Sequence, residues 1–227
     1  MNDAGRLKIV LTGASGLVGQ GVALACAGSA HVKRTVALVR RAGGLVTATE
    51  ELVLEDFQQA HRRRADLVGF DACFYCAGAA PVGTAEEEYR RVTLDTTLAV
   101  AQTWFAANPQ GMFLYVSGAH ANPESHIMPL RIKGETEQAL VQLPGRTVML
   151  RPGGVRPVTG TGTRHRLLKP LYVLGGPLMQ LAGAALPSMV TSNLSVGRAM
   201  IALARMRDPP DVVECAQINQ LGDADAA

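Results

Sequence analysis

The residues with the plainest chemical content are Gly13, Gly16 and Gly19, set three apart in the stretch K-I-V-L-T-G-A-S-G-L-V-G, residues 8–19. A short apolar run, Ile9–Leu11, precedes them and reads as a buried strand. An apolar pattern of helical period, Leu17–Ala27, follows at once. Strand, glycine-rich turn and helix in that order make a cradle for phosphate. Gly13 lets the chain turn sharply out of the strand. Gly16 leaves room for a pyrophosphate against the backbone, and Gly19 lets the helix pack close to the sheet. The first helical turn offers N–H groups without intrahelical partners and a partial positive charge. The spacing is G-x-x-G-x-x-G rather than G-x-G-x-x-G, so the flanking strand and helix carry the assignment. The alternative is a plain glycine turn in an unrelated α/β chain.

The next chemical signal lies at the end of the second strand. NAD sites place an acid there to grip the ribose hydroxyls. This chain has Arg40 and Arg41. A guanidinium suits a 2′-phosphate through its paired N–H donors. The pair points to NADP(H), with NAD(H) second. The alternative is two solvated loop arginines.

The elements that must position these residues alternate along the chain. Expected strands are Lys8–Leu11, Arg34–Val39, Glu51–Leu54, Ala72–Cys76, Met112–Val116, Thr147–Leu150 and a last one at Val212–Ile218. Expected helices are Leu17–Gly28, His61–Val68, Ala85–Ala107, Leu130–Gln142 and Val196–Met206. Apolar strands alternating with helices predict a parallel sheet covered on both faces. The fold expected is therefore α/β: a Rossmann-like, doubly wound parallel sheet with its crevice at the strand C-termini. One domain is expected over 1–227, with 153–211 as a small C-terminal substrate-side or lid portion. From Pro170 to Gly197 no side chain is charged. Gly175, Gly176, Pro177, Gly183 and Pro187 break that run. It reads as a subdomain packed on the sheet; a spanning helix, or membrane-surface contact through 170–191, is the alternative. The tail after Leu221 is expected to fray.

Composition excludes several classes. The chain has 227 residues, 48% apolar and 18% charged, which is globular rather than disordered. A formal net charge of +3 is too mild for a nucleic-acid binder. Arg62, Arg63 and Arg64 read as a solvated helix start, with a polyanion contact as the alternative. Cys73 and Cys76 form a C-x-x-C inside a strand, where residues three apart face opposite sides. No metal site is expected from them. Buried reduced thiols and the lack of a secretion signal in the first ten residues fit a cytoplasmic protein.

T-G-A-S-G-L-V-G, residues 12–19, resembles the TGxxGxxG signature of the extended and atypical short-chain dehydrogenase/reductases. The resemblance covers nearly the whole chain. It implies that Thr12, Gly13, Ser15, Gly16, Leu17, Val18 and Gly19 hold the cofactor's phosphates. It implies an adenine contact at Asp56, beside Phe57, although a helix cap serves equally for Asp56. It implies a close approach of backbone at Cys76, Ala77 and Gly78, and a turn over the nicotinamide at Leu150-Arg151-Pro152-Gly153, hence Pro152 and Gly153. Thr93 stands where extended members often carry a structural Asn.

Members of this family carry a Ser after the fifth strand and a Tyr-x-x-x-Lys on the next helix. The Lys lowers the Tyr pKa and binds the nicotinamide ribose, and the Tyr exchanges a proton with the substrate oxygen. Ser117 matches the Ser and Lys133 matches the Lys. The Tyr position is Pro129, which has no proton to give. His120 and His126 lie between Ser117 and Lys133 and can act as acids near neutral pH. Tyr172 is a further candidate from the C-terminal stretch, whereas Tyr115 is expected in the core. The resemblance implies an NADP(H)-binding oxidoreductase or epimerase-like enzyme on a small molecule, with a non-standard proton donor. The alternative is a catalytically weak NADP(H)-sensing regulatory or binding protein.

Overall fold

A computed structural model describes residues 5–162 and 188–224. Its strands are β1 (Leu7–Thr12), β2 (Val32–Val39), β3 (Glu50–Val53), β4 (Ala72–Tyr75), β5 (Met112–Val116), β6 (Arg146–Arg151), β7 (Gly154–Arg156), β8 (Val190–Ser192) and β9 (Val212–Glu214). Its α-helices are α1 (Leu17–Gly28), α2 (Glu86–Arg90), α3 (Thr96–Ala107), α4 (Met128–Val141), α5 (Asn193–Arg205) and α6 (Cys215–Ala224).

A strand covered on both faces must be apolar on both. Ile9, Leu11, Phe74, Leu114, Val148 and Leu150 turn to one side and pack with α1 and α5. Val10, Leu38, Tyr75, Phe113, Tyr115 and Met149 turn to the other and pack with α3, α4 and a 3-10 segment at Phe57–Leu67. The result is a seven-stranded sheet, ordered β3-β2-β1-β4-β5-β6-β9, with every pairing parallel. Strand order runs outward one way from β1 and the other way from β4. The crevice at their C-terminal ends is the switch point where α/β sheets bind ligands. The short strands β7 and β8 pair separately in a second, parallel ladder.

Several elements differ from the sequence expectation. Val212–Ile218 does not form one strand: β9 ends at Glu214 and α6 begins at Cys215. Cys215, Ile218 and Gly222 then share one buried helical face, at the three- and four-residue spacing of a helix. The chain stays helical to Ala224 because Gly222 lies against Ser195; a Cβ there would stand 2.8 Å from Ser195 Cα. The helix expected over His61–Val68 is the 3-10 segment, kinked at Gln59. The long helix expected over Ala85–Ala107 is interrupted by a π turn at Arg91–Asp95. Residues 163–187, which include Tyr172 and most of the uncharged run, lie outside the described residues. Among the described residues no helix is long and apolar enough to cross a membrane.

Helices α1 and α5 meet through glycines. A Cβ on Gly21 would stand 2.3 Å from the Asn193 carbonyl carbon, and one on Gly197 would stand 2.7 Å from Val22 Cα. Both neighbours are backbone and cannot swing away. Gly21→Ala is therefore expected to destabilise the fold by about 1–3 kcal/mol, lowering Tm by roughly 3–10 °C. Gly28→Ala, at the open end of the same helix with nothing within 4 Å, is the matched control and should be neutral or slightly stabilising. Thermal melts of the two variants check this; a Gly21→Ala protein as stable as its parent would contradict the packing.

Candidate functional site

The glycine turn between β1 and α1 is held by backbone approaches that only glycine permits. Thr12 ends β1, and its Oγ1 accepts from the N–H groups of Cys76 (3.2 Å) and Ala77 (3.3 Å). That pair of bonds ties the ends of β1 and β4 together across the switch point. Gly13 has φ +68°, and a Cβ there would lie 2.5 Å from the Cys76 carbonyl carbon. Its own carbonyl accepts from Gly16 N at 2.8 Å. A Cβ on Gly19 would stand 2.0 Å from that same oxygen, so Gly19 packs on the turn itself rather than simply on the sheet. Gly16 is the N-cap of α1, is exposed, and leaves the helix end without a capping side chain or an acid in its first turn. Ser15, Leu17 and Val18 flank it and are half-buried. An uncapped helix N-terminus beside a glycine turn fits the pyrophosphate of a dinucleotide.

Around this turn the expected residues are distributed unevenly. Arg40 and Arg41 follow β2 directly; both are exposed, and among the described residues neither guanidinium has a hydrogen-bond or ion-pair partner. Asp56 uses its carboxylate to cap the 3-10 segment, accepting from Gln58 N at 3.0 Å. Phe57 turns its ring into the core. Cys73 and Cys76 face opposite sides of the sheet, Cys73 in one core cluster and Cys76 against the other. Burial pushes both thiols well up. Among the described residues no cluster of side chains could hold a metal. Gly78 is exposed and open, with nothing within 4 Å of a Cβ built on it.

Ser117 and Lys133 meet at the end of β5. Ser117 N donates to Leu150 O at 2.8 Å, while its buried hydroxyl has no hydrogen-bond partner. A buried hydroxyl left without a partner costs free energy unless a ligand supplies one. Lys133, on α4, donates from Nζ to Val116 O at 2.8 Å and stands 4.8 Å from the centre of the Tyr115 ring. Burial pulls its ammonium down to about 8, against Glu137 first and Cys76 second, which pull it up. Glu137 lies one helical turn further on and is buried. Arg151 forks it from the end of β6 and also reaches Glu214 at 3.1 Å. The sequence reading passed over this Arg151–Glu137 pair.

Among the described residues no exposed tyrosine stands beside Lys133. Pro129 occupies the first turn of α4, where its lost N–H has no partner to miss. Tyr75 and Tyr115 are buried, and desolvation pushes both phenols up. Tyr115 is a core residue, as expected. His120 is exposed and is the single non-glycine residue with positive φ, at 61°, among the described residues. Such a conformation is uncommon outside glycine, with His among the enriched types. It sits in a loop anchored by Ala119 N to Pro152 O at 2.9 Å. His126 is also exposed, just before α4. Pro152 is buried, and Gly153 is required where it stands: a Cβ would lie 2.2 Å from Met189 O, which also accepts from Gly154 N.

Two further residues at the turn went unnoticed in the sequence. Gln20 bonds Ser15 and Gly162, and Asn193 bonds Leu17, Thr161 and Val158. Nothing local marks a lone Gln or Asn whose partners lie far along the chain.

No family's sequence model matches the chain, and no curated protein matches it. Solved structures do. MoeE5 in complex with UDP-glucuronic acid and NAD superposes with a TM-score of 0.66 at 16% identity, covering 91% of this chain and 75% of that one. A UDP-glucose-4-epimerase from Stenotrophomonas maltophila, with bound NAD, gives 0.65 at 17% identity over 88% of this chain and 73% of its own. A short chain dehydrogenase from Burkholderia cenocepacia in complex with NADP gives 0.64 at 15%, over 98% and 93%. The chain has the Rossmann-like fold of these NAD- and NADP-binding dehydrogenases and epimerases.

Proposed function

We propose that this protein binds NADP(H) at the crevice between β1 and β4 and works on a small molecule as an oxidoreductase or epimerase-like enzyme. The observation that carries the reading is the pairing of an uncapped glycine turn with the partnerless buried hydroxyl of Ser117, next to the Lys133 ammonium. When bound, a nicotinamide supplies or takes up a hydride. The chain's own residues do the rest. The first turn of α1 binds the pyrophosphate, and Arg40 and Arg41 grip the 2′-phosphate. Lys133 holds positive charge beside the ribose, and Ser117 donates to a substrate oxygen. Within the 153–211 portion the substrate side is assigned to 153–162, because Asn193–Arg205 covers the sheet against α1, and the protein is assigned to the cytoplasm. The fold's likeness to enzymes solved with NAD and with NADP supports a nicotinamide dinucleotide, and the arginine pair supports the phosphorylated one.

The proton is assigned to His120, whose strained backbone in a loop tied to Pro152 is the kind of feature functional sites retain; His126 is its understudy. Pro129 favours a second reading: a protein that binds NADP(H) and reports its state to a partner with little turnover.

Three outcomes follow. Calorimetry should find NADPH bound at least tenfold more tightly than NADH, about 1.4 kcal/mol, and Arg40→Ala/Arg41→Ala should erase most of that preference. Equal affinities in the parent protein contradict the arginine assignment. Across a panel of aldehydes and ketones, NADPH oxidation should be slow, because general acid help typically supplies about 10² to 10⁴ in rate. His120→Ala should remove what turnover exists without weakening cofactor binding. Brisk turnover that survives loss of both histidines and of Tyr172 refutes this site.

The third outcome concerns Lys133. It is charged below pH 8 and neutral above, so NADPH affinity should fall as pH rises through about 8. Its folded value lies below the ordinary 10.5, so the unfolded chain binds the extra proton between those values and Lys133 adds stability as pH rises across them. Glu137→Gln removes an upward pull and should move the affinity midpoint to lower pH. A midpoint that stays put or rises would show that Glu137 does not act on Lys133.

A further inference from the structure

Two buried carboxamides bond the carbonyls on either side of Gly16 at the glycine turn. Gln20 is 5% exposed and Asn193 is fully buried. The Gln20 Nε2 donates to Ser15 O and to Gly162 O, each at 3.0 Å, and its Oε1 accepts from Gly162 N at 2.8 Å. Toward Gly162 this is the two-point pairing that a neighbouring strand would offer. The Asn193 Nδ2 donates to Leu17 O and to Thr161 Oγ1, each at 2.9 Å, and its Oδ1 accepts from Val158 N at 3.1 Å. Ser15 and Leu17 flank Gly16, the N-cap of α1. The 158–162 turn is also closed on itself, since Thr161 N and Oγ1 both donate to Val158 O, at 3.0 and 2.7 Å. Each carboxamide thus spends both of its donors and one acceptor site on joining two loops.

A hydrophobic contact could hold the 158–162 turn in place, but it would not fix the orientation of the Ser15 and Leu17 carbonyls. Buried, fully directed hydrogen bonds do. Those carbonyls belong to the peptide units on either side of the N–H groups that would meet a pyrophosphate.

We infer that Gln20 and Asn193 are positioning residues that latch the 158–162 turn onto the phosphate turn, so that dinucleotide binding and the docking of 158–162 reinforce one another. The inference rests on the dinucleotide reading above. Coupling of this kind is reciprocal: the factor by which the ligand stabilises the latched turn is the factor by which breaking the latch weakens the ligand.

Hydrogen exchange at the Gly162 amide reads the latch directly, because that N–H is bonded to Gln20 Oε1. In the full-length protein, saturating NADPH should slow Gly162 exchange by about fivefold or more. In Gln20→Leu that response should vanish, and NADPH affinity should fall by a similar factor. Thr161→Val, which removes the bond accepted from Asn193 and the one donated to Val158 O at a half-buried position, should lose part of both effects and guards against a Gln20→Leu protein that does not fold. Parent protein that binds NADPH with Gly162 exchange unmoved overturns the latch and leaves the cofactor reading standing. Slowing that persists in Gln20→Leu and Thr161→Val means the ligand covers Gly162 directly, and also overturns it. Parent protein that binds neither NADPH nor NADH removes both claims together.

Discussion

One backbone carbonyl, that of Gly13, sets the geometry at the top of the sheet. It accepts from Gly16 N at 2.8 Å and lies so close to Gly19 that a Cβ there would stand 2.0 Å away. The turn cannot relax around it, because Gly13 itself is wedged against the Cys76 carbonyl and the Thr12 hydroxyl binds two N–H groups of the next strand's end. Helix α1 leaves the sheet at an angle fixed by these contacts. That angle brings Gly21 against Asn193, and so sets where α5 lies. The glycine turn and the packing of the sheet's helical cover are thus one constraint, and neither changes without the other.

Charge at the far side of the crevice follows a similar logic. Burial works against the Lys133 ammonium, and Val116 O and the Tyr115 ring work for it. Glu137 offsets part of the burial cost and is itself gripped by the Arg151 fork, whose guanidinium is pushed up in turn. This chain of charges joins α4, β5, β6 and β9. It holds a cation beside Ser117 in a helix whose first turn carries Pro129 instead of a phenol.

Much of this was legible in the sequence, because its signals are local. Gly13, Gly16 and Gly19 declare a turn between a strand and a helix, and the apolar runs declare a sheet covered on both faces. The split of Cys73 from Cys76 followed from strand alternation alone. Where sequence reasoning failed, the run was short: Val212–Ile218 reads as a closing strand, but Cys215, Ile218 and Gly222 form a helical face. Gln20 and Gly162 stand 142 residues apart, and Arg151 and Glu137 fourteen. No spacing rule links such pairs; only the crossing of α1, α4 and β6 does. Asp56 was readable both as a cap and as a ligand, and its carboxylate is engaged as a cap.

The central claim is that the crevice between β1 and β4 is a dinucleotide site with its reactive end at Ser117. A crystal structure grown with NADPH tests it most directly. The account requires the pyrophosphate over residues 13–18, the 2′-phosphate between Arg40 and Arg41, and the nicotinamide within reach of the Ser117 hydroxyl and the Lys133 ammonium. Dinucleotide bound elsewhere on the molecule, or an empty crevice at saturating NADPH, would contradict it.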